Sequence, residues 1–186
     1  TDPKQVQGII AGGSAAICQS VEGAEDDSDA GAEAIRFRGI NRDDVFIGIA
    51  ASGRTPFVWG AIWEANKCGA KTALLCFNPK IQIPQDNKPN IVINPDIGPE
   101  LLTGSTRLKS GTATKLILNI ISTMAMVQSG KVIENLMVDL DPSNTKLRDR
   151  AIRIVQQLTN ADEKLTLKAL EKNKWNVKKS ITHLKK

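Results

Sequence analysis

The sequence predicts an α/β protein: a parallel β-sheet flanked by helices, with a small helical appendage behind it. Three observations carry this expectation. Short apolar runs alternate with helical patterns between residues 45 and 93, as βαβ units do when their sheet is covered on both faces. A long segment over 105–128 repeats apolar residues at helical spacing and closes at Ser129-Gly130. Beyond Asp141-Pro142-Ser143 the chain turns helical and basic.

The elements follow in order. Residues 6–11 read as a buried strand, so the chain reads as starting inside a fold. Gly12-Gly13-Ser14 punctuates it, and Ser14 suits the cap of a short helix ending near Val21. After an acidic loop over 22–27, Ser28 caps a helix through Arg38, closed by Gly39 and Asn41 before the apolar strand 45–50. Thr55-Pro56 provides a cap and a proline at the first helical position for a helix over 57–68, which Gly69 ends. Strands over 72–77 and 91–93 are separated by a loop carrying three prolines. Leu116, Ile120, Ile121, Met124 and Val127 form a stripe on the long helix, expected to be core. Three short helices are expected over 145–158, 161–173 and 176–185. Leu165, Leu167, Leu170, Trp175, Val177, Ile181 and Leu184 would supply their small core, leaning on the sheet domain.

Composition excludes several classes. The 186 residues suit one core of ordinary size plus an appendage, and no apolar run reaches the ~18 residues of a membrane helix. The protein is therefore expected to be soluble and without a membrane partner. Cys18, Cys68 and Cys76 lack metal-ligand spacing, and His183 is the single histidine. A disulfide scaffold, a zinc site and a Ser-His-Asp or Cys-His machine are all disfavoured, which leaves proton transfer to carboxylates, Lys or Cys. The net charge of +5 belongs to the tail: 13 basic residues face 16 acidic ones before Thr145, and 12 face 4 from there on. With one aromatic, Trp175, and no recognition motif, that tail reads as solvated helix rather than a nucleic-acid surface. Reduced-looking cysteines and no targeting segment make the cytoplasm the expected compartment.

Three segments carry candidate chemistry. Ala50-Ala51-Ser52-Gly53-Arg54-Thr55-Pro56 lies where a strand ends and a helix begins, the place at which open α/β sheets bind ligands. Gly53 allows a tight turn, Ser52 and Thr55 offer hydroxyls, and the helix start offers N–H groups, so a phosphate suits the loop. The alternative is that Ser52 and Thr55 only cap the helix. The second segment runs over 98–112 and crowds Ser105, Thr106, Arg107 and Lys109 at one helix start. Cations oppose the helix dipole there and suit an anionic ligand, or else they are solvated charge. The third is the acidic loop with Glu25, Asp26 and Asp27, whose composition alone favours dipole complementarity and solubility over catalysis.

Those residues carry a resemblance. Val21-Glu22-Gly23-Ala24-Glu25-Asp26, Gly48-Ile49-Ala50-Ala51-Ser52-Gly53-Arg54-Thr55-Pro56, Leu102-Thr103-Gly104-Ser105-Thr106-Arg107-Leu108-Lys109-Ser110-Gly111-Thr112-Ala113 and Asn135-Leu136-Met137-Val138-Asp139 occur in an order that resembles the N-acetylmuramic acid 6-phosphate etherases, over nearly the whole chain. The resemblance implies a sugar isomerase (SIS) domain over 1–140 lacking its N-terminal strand and loop. The three helices over 141–186 resemble a ubiquitin-associated-like trio that serves as packing or lid rather than for ubiquitin binding. It implies a lyase that cleaves the lactyl ether of N-acetylmuramic acid 6-phosphate by elimination and water addition in cell-wall sugar recycling. Glu25 would be one of two proton-transferring glutamates. Ser52, Gly53, Arg54 and Thr55 would hold the phosphate. Ser105 and Thr106 would contact the sugar, with Arg107 and Lys109 beside them. Ala50 stands where many sugar isomerases have another hydroxyl residue.

The partner glutamate and a first phosphate loop would lie upstream of Thr1, so the chain alone is expected to be inactive. No metal, nucleotide or redox cofactor is implied, and a homodimer is. A rival is a non-catalytic sugar-phosphate regulator of the glucokinase regulatory protein type, which shares the Glu-Gly-Ala-Glu-Asp string but carries two SIS domains, whereas 51–56 has the etherase form. A sugar-phosphate isomerase, with an aldose-ketose base, is a third reading.

Overall fold

The computed structural model describes Asp2 and residues 4–185. The chain forms two compact units, Thr1–Lys115 and Leu116–Lys186.

In the first unit, strands β1 (Val45–Ile49), β2 (Lys71–Leu75) and β3 (Ile91–Ile93) form a parallel sheet in the order β1-β2-β3. Val45 lies opposite Lys71 and Ile49 opposite Leu75, while Ala73 lies opposite Ile91. The central strand buries Thr72, Ala73, Leu74 and Leu75 in succession, as a strand covered on both faces must. Helix α1 (Ser28–Arg38) is capped by Asp27 rather than Ser28: the Asp27 carboxylate accepts the Ala30 N–H at 2.8 Å. Gly39 closes it in the left-handed conformation, as expected. Helix α2 (Pro56–Lys67) has Pro56 at its start and buries Phe57, Trp59, Ala61, Ile62 and Ala65.

Two clusters make the core of this unit. Ile35, Ala61, Ala65 and Ala70 pack with Ile9, Ile40 and Phe46; Trp59, Ile62, Leu74 and Cys76 pack with Val58, Trp63, Ile81 and Ile83. Helices α1 and α2 approach backbone to backbone through reciprocal glycines. A Cβ on Gly31 would run into the Phe57 carbonyl, and one on Gly60 into the Ser28 carbonyl.

The expected strand over 6–11 does not form. That stretch is irregular, Val6 and Ile10 are exposed, and only Ile9 tucks against the Ile35 cluster. Apolar residues favour a strand only where a neighbouring strand takes up the backbone hydrogen bonds; among the described residues no strand pairs with this stretch, and its Gly8 and Ile10 carbonyls accept instead from the Arg38 guanidinium and the Gly13 N–H. The expected helix after Ser14 shrinks to a 3₁₀ turn, Gly13–Ile17, entered through Gly12 and Gly13 with φ of 81° and 64°. So short a segment cannot recover the cost of α-helix nucleation.

Helix α3 (Lys109–Gln128) begins four residues later than the sequence suggests, because residues 101–108 turn before it. Its stripe is not core: Leu116, Ile120, Met124 and Val127 are exposed and Ile121 is half-buried. Periodicity identifies an apolar face but not what covers it.

The second unit holds the rest of α3, an antiparallel hairpin of β4 (Val132–Ile133) and β5 (Leu136–Met137), and helices α4 (Thr145–Thr159), α5 (Glu163–Lys172) and α6 (Val177–Leu184). Asn144, Asp162 and Asn176 cap the three helices, each accepting a backbone N–H three residues on at 2.8–2.9 Å. These helices have a core of their own: Val138, Ala151, Ile154, Val155, Leu170, Val177 and Ile181. Trp175 and Leu184 pack against it, while Leu165, expected inside, is exposed. The Arg148 guanidinium lies 5.1 Å from the Trp175 ring centroid, a cation–π contact.

Candidate functional site

The parallel register places the carboxyl ends of β1, β2 and β3 at one edge of the sheet. The chain leaves β1 through residues 50–55, and hydrogen bonds fix this loop at almost every step. Gly53 N–H donates to the Ala50 carbonyl at 2.8 Å, and Arg54 N–H donates to the Ser52 hydroxyl at 3.2 Å. The Trp59 indole N–H reaches back from α2 to the Gly53 carbonyl at 2.8 Å in a buried contact. Gly53 has φ of 72°, and a Cβ there would push on the Ile81 side chain, so the position favours glycine. Thr55 occupies the N-cap position of α2, yet its side chain makes no capping bond. The Ser52 hydroxyl is exposed and turns the loop rather than capping the helix.

Asn78, which follows β2, ties this loop to the next strand. Its side-chain N–H donates to the Ser52 carbonyl at 3.0 Å and its side-chain oxygen accepts the Lys80 N–H at 3.1 Å. The Asn78 carbonyl in turn accepts the Asn94 side-chain N–H at 2.8 Å, just past β3. A cavity of about 450 Å³ opens beside the loop, lined in part by Gly53, Arg54, Trp59, Asn78, Lys80 and Gln82. Its charged lining is cationic, from Arg54 and Lys80, so the cavity favours an anion. Asn78, Lys80 and Asn94 were not legible as site residues: they lie in a proline-rich loop and after a short strand, with no motif around them. An asparagine directly after a buried strand was the one available signal.

Glu25 sits in a 3₁₀ turn, Ala24–Asp26, entered through Gly23 at φ 75°. The turn packs against α2, the helix that opens from the Ser52 loop, and the Glu25 side chain is exposed. In the second segment, Gly104 takes φ of 84°, Ser105 is half-buried, and Thr106, Arg107 and Lys109 are exposed. The Lys109 ammonium folds back to the Ile97 carbonyl at 3.4 Å. Neither Glu25 nor any residue of 105–109 lines the cavity beside the Ser52 loop. Among the described residues, no group of His, Cys, Asp and Glu is arranged to hold a metal ion.

A residue not singled out in the sequence organises this second segment. Glu100 accepts the Lys109 N–H at 3.0 Å and the Ser110 N–H at 2.9 Å, one on each carboxylate oxygen. These bonds, Ser110's first, hold its carboxyl below the usual glutamate range; the Ser110 side chain and the Lys109 charge add to the effect, and desolvation opposes it. A lowered folded value means the clamp contributes stability above the ordinary glutamate range and loses it as pH falls through the folded value.

A parallel sheet with helices on it, a glycine-turned hydroxyl loop at the strand ends and a cationic cavity beside that loop define an α/β domain with a site suited to an anionic ligand at the carboxyl ends of its strands. The comparisons agree: residues 1–66 match the glucokinase regulatory protein N-terminal SIS domain, and residues 134–185 match the C-terminal lid domain of glucokinase regulatory protein. Over 97% of its length the chain is 51% identical to an N-acetylmuramic acid 6-phosphate etherase of Gloeobacter violaceus, of which it covers 58%. It is 48% identical over 96% of its length to the protein of that name in Staphylococcus epidermidis, and 49% identical over 98% to that in Bacillus subtilis, covering 60% of each. Along nearly its whole length the chain is similar to N-acetylmuramic acid 6-phosphate etherases. It spans about three fifths of the length of the curated relatives it matches.

Proposed function

We propose that the protein to which this chain belongs is a carbon–oxygen lyase that converts N-acetylmuramic acid 6-phosphate to N-acetylglucosamine 6-phosphate and D-lactate. The observation that carries this reading is the identity of about half of all residues to etherases along nearly the whole chain. With the sugar ring open, the aldehyde acidifies the C2 proton. A base removes it, the C3–oxygen bond breaks, and lactate leaves with a proton from an acid. Water then adds to the double bond, its hydroxyl to C3 and its proton to C2.

On this reading Ser52, Gly53, Arg54 and Thr55 bind the phosphate, and the cationic cavity beside them supports the assignment. Ser105, Thr106, Arg107 and Lys109 meet the sugar, and Glu25 transfers a proton. Residues 1–140 act as the SIS domain and the helices of 141–186 as a ubiquitin-associated-like lid. The protein works in the cytoplasm on peptidoglycan-derived sugar and as a homodimer; no helix among the described residues is long and apolar enough to cross a membrane. The regulator reading draws on the names of the two matching domain families, each of which covers a smaller part of the chain than the etherases do.

In the full-length protein, Ser52→Ala should weaken binding of the phosphorylated sugar about tenfold while the thermal melt stays unchanged. Titration calorimetry measures this, and unaltered affinity would remove the loop from the site. D-lactate release from N-acetylmuramic acid 6-phosphate tests the activity itself: binding without release favours the regulator.

A further inference from the structure

The loops assigned to the ligand lead into two helices whose starts are filled differently. At α2 the cap position is taken by Thr55 without a side-chain bond, and Pro56 brings no N–H. At α3 both oxygens of Glu100 are already seated on the N–H groups of Lys109 and Ser110. A helix start attracts anions, and here the protein supplies one of its own. The Glu100 carboxylate also attracts the Lys109 charge, which offsets the unfavourable meeting of that cation with a helix N-terminus.

The two bonds span nine and ten residues of sequence. They therefore close residues 101–108 into a loop pinned at both ends. Inside it Gly104 is left-handed and the Ser105 N–H bonds the Leu102 carbonyl at 3.0 Å. Leu101, Leu102 and Leu108 of this loop are exposed, so burial of its own side chains does little to hold its shape.

We propose that Glu100 is a positioning residue for substrate recognition: it holds the loop bearing Ser105, Thr106 and Arg107 in its binding conformation and occupies the α3 N-terminus, leaving the phosphate to the Ser52 loop. The inference rests on the sugar-phosphate reading above. It assigns the second loop to the sugar's hydroxyl groups rather than to its phosphate.

The test uses the full-length protein and three variants: Glu100→Gln, which keeps the shape but turns an NH₂ group toward a backbone N–H, Glu100→Asp, which is too short to reach both amides, and Ser52→Ala. For both Glu100 variants, KM for N-acetylmuramic acid 6-phosphate should rise about tenfold while kcat stays within about threefold, because ground-state and transition-state binding are weakened alike. Amide exchange of the peptide spanning 101–110 should quicken, and competitive inhibition by inorganic phosphate should be unchanged. Wild-type KM in both variants, or a fall in kcat alone, would overturn the proposal. So would loss of the fold in both, which would make Glu100 a residue of stability. If the Glu100 variants bind normally while Ser52→Ala weakens phosphate inhibition, this inference fails and the site reading stands. If Ser52→Ala also changes nothing, the site reading fails.

Discussion

Glu25→Gln in the full-length protein should lower D-lactate release by about 10²-fold or more and leave the affinity for N-acetylmuramic acid 6-phosphate within about threefold. The carboxamide keeps the shape of the side chain but neither takes nor gives a proton at neutral pH. Local structure makes the substitution mild for the fold. Glu25 is exposed in a three-residue turn, and the bonds that shape that neighbourhood belong to others: Asp26 N–H to the Gly23 carbonyl, and Asp27 capping α1. A lost rate with an unchanged melt therefore reports chemistry. Because the reaction needs one group at C2 and another at the leaving oxygen, exchange of the C2 hydrogen with solvent deuterium separates the two roles. Exchange without lactate release makes Glu25 the acid, and loss of both makes it the base. Wild-type turnover in Glu25→Gln would remove it from the mechanism.

The second large effect is on stability. Gly60→Ala should gain about 1 kcal/mol from helix propensity. It should lose more, because the new methyl falls on the Ser28 carbonyl of α1, and backbone yields far less readily than a side chain. A net loss of about 2 kcal/mol follows, seen as a fall of several degrees in the melting temperature. Gly31→Ala, whose methyl would meet the Phe57 carbonyl from the other helix, should behave alike. Gly111→Ala in α3 is the contrast: the nearest atom is the Thr106 carbonyl oxygen at 3.8 Å, so the propensity gain should survive. Equal stability of Gly60→Ala and the parent would mean that the two helices pack less closely than described.

What the sequence made legible was decided by range. α1, β1, α2 and β2 were readable because their signals are local: a proline at a helix start, a glycine at a helix end and continuous apolar runs, although the cap of α1 falls on Asp27, one residue before the expected Ser28. Residues 6–11 were misread because a strand is a property of a pair. The stripe of Leu116, Ile120 and Met124 was misread for a related reason, since spacing defines a face and only a neighbour makes it core. At the candidate site, the Ser52 loop was legible from its glycine and hydroxyls. Asn78 and Lys80 beside it were not, since they arrive from another strand. Glu100 lies nine residues before the first amide it holds, well outside the single turn over which capping patterns are read.

The bond from Trp59 to the Gly53 carbonyl has an optical consequence. The chain has three tryptophans, and Trp175 lies in the other unit beneath Arg148. Trp59 and Trp63 are neighbours, with centroids 6.1 Å apart and planes tilted by 37°, close enough to share excitation. One indole of that pair is bonded to the loop at its turning glycine and lines the cavity beside it, so a charge settling there acts on the emitting group directly. With Trp63 and Trp175 replaced by phenylalanine, the remaining emission becomes a built-in gauge of the loop, readable in solution without a label.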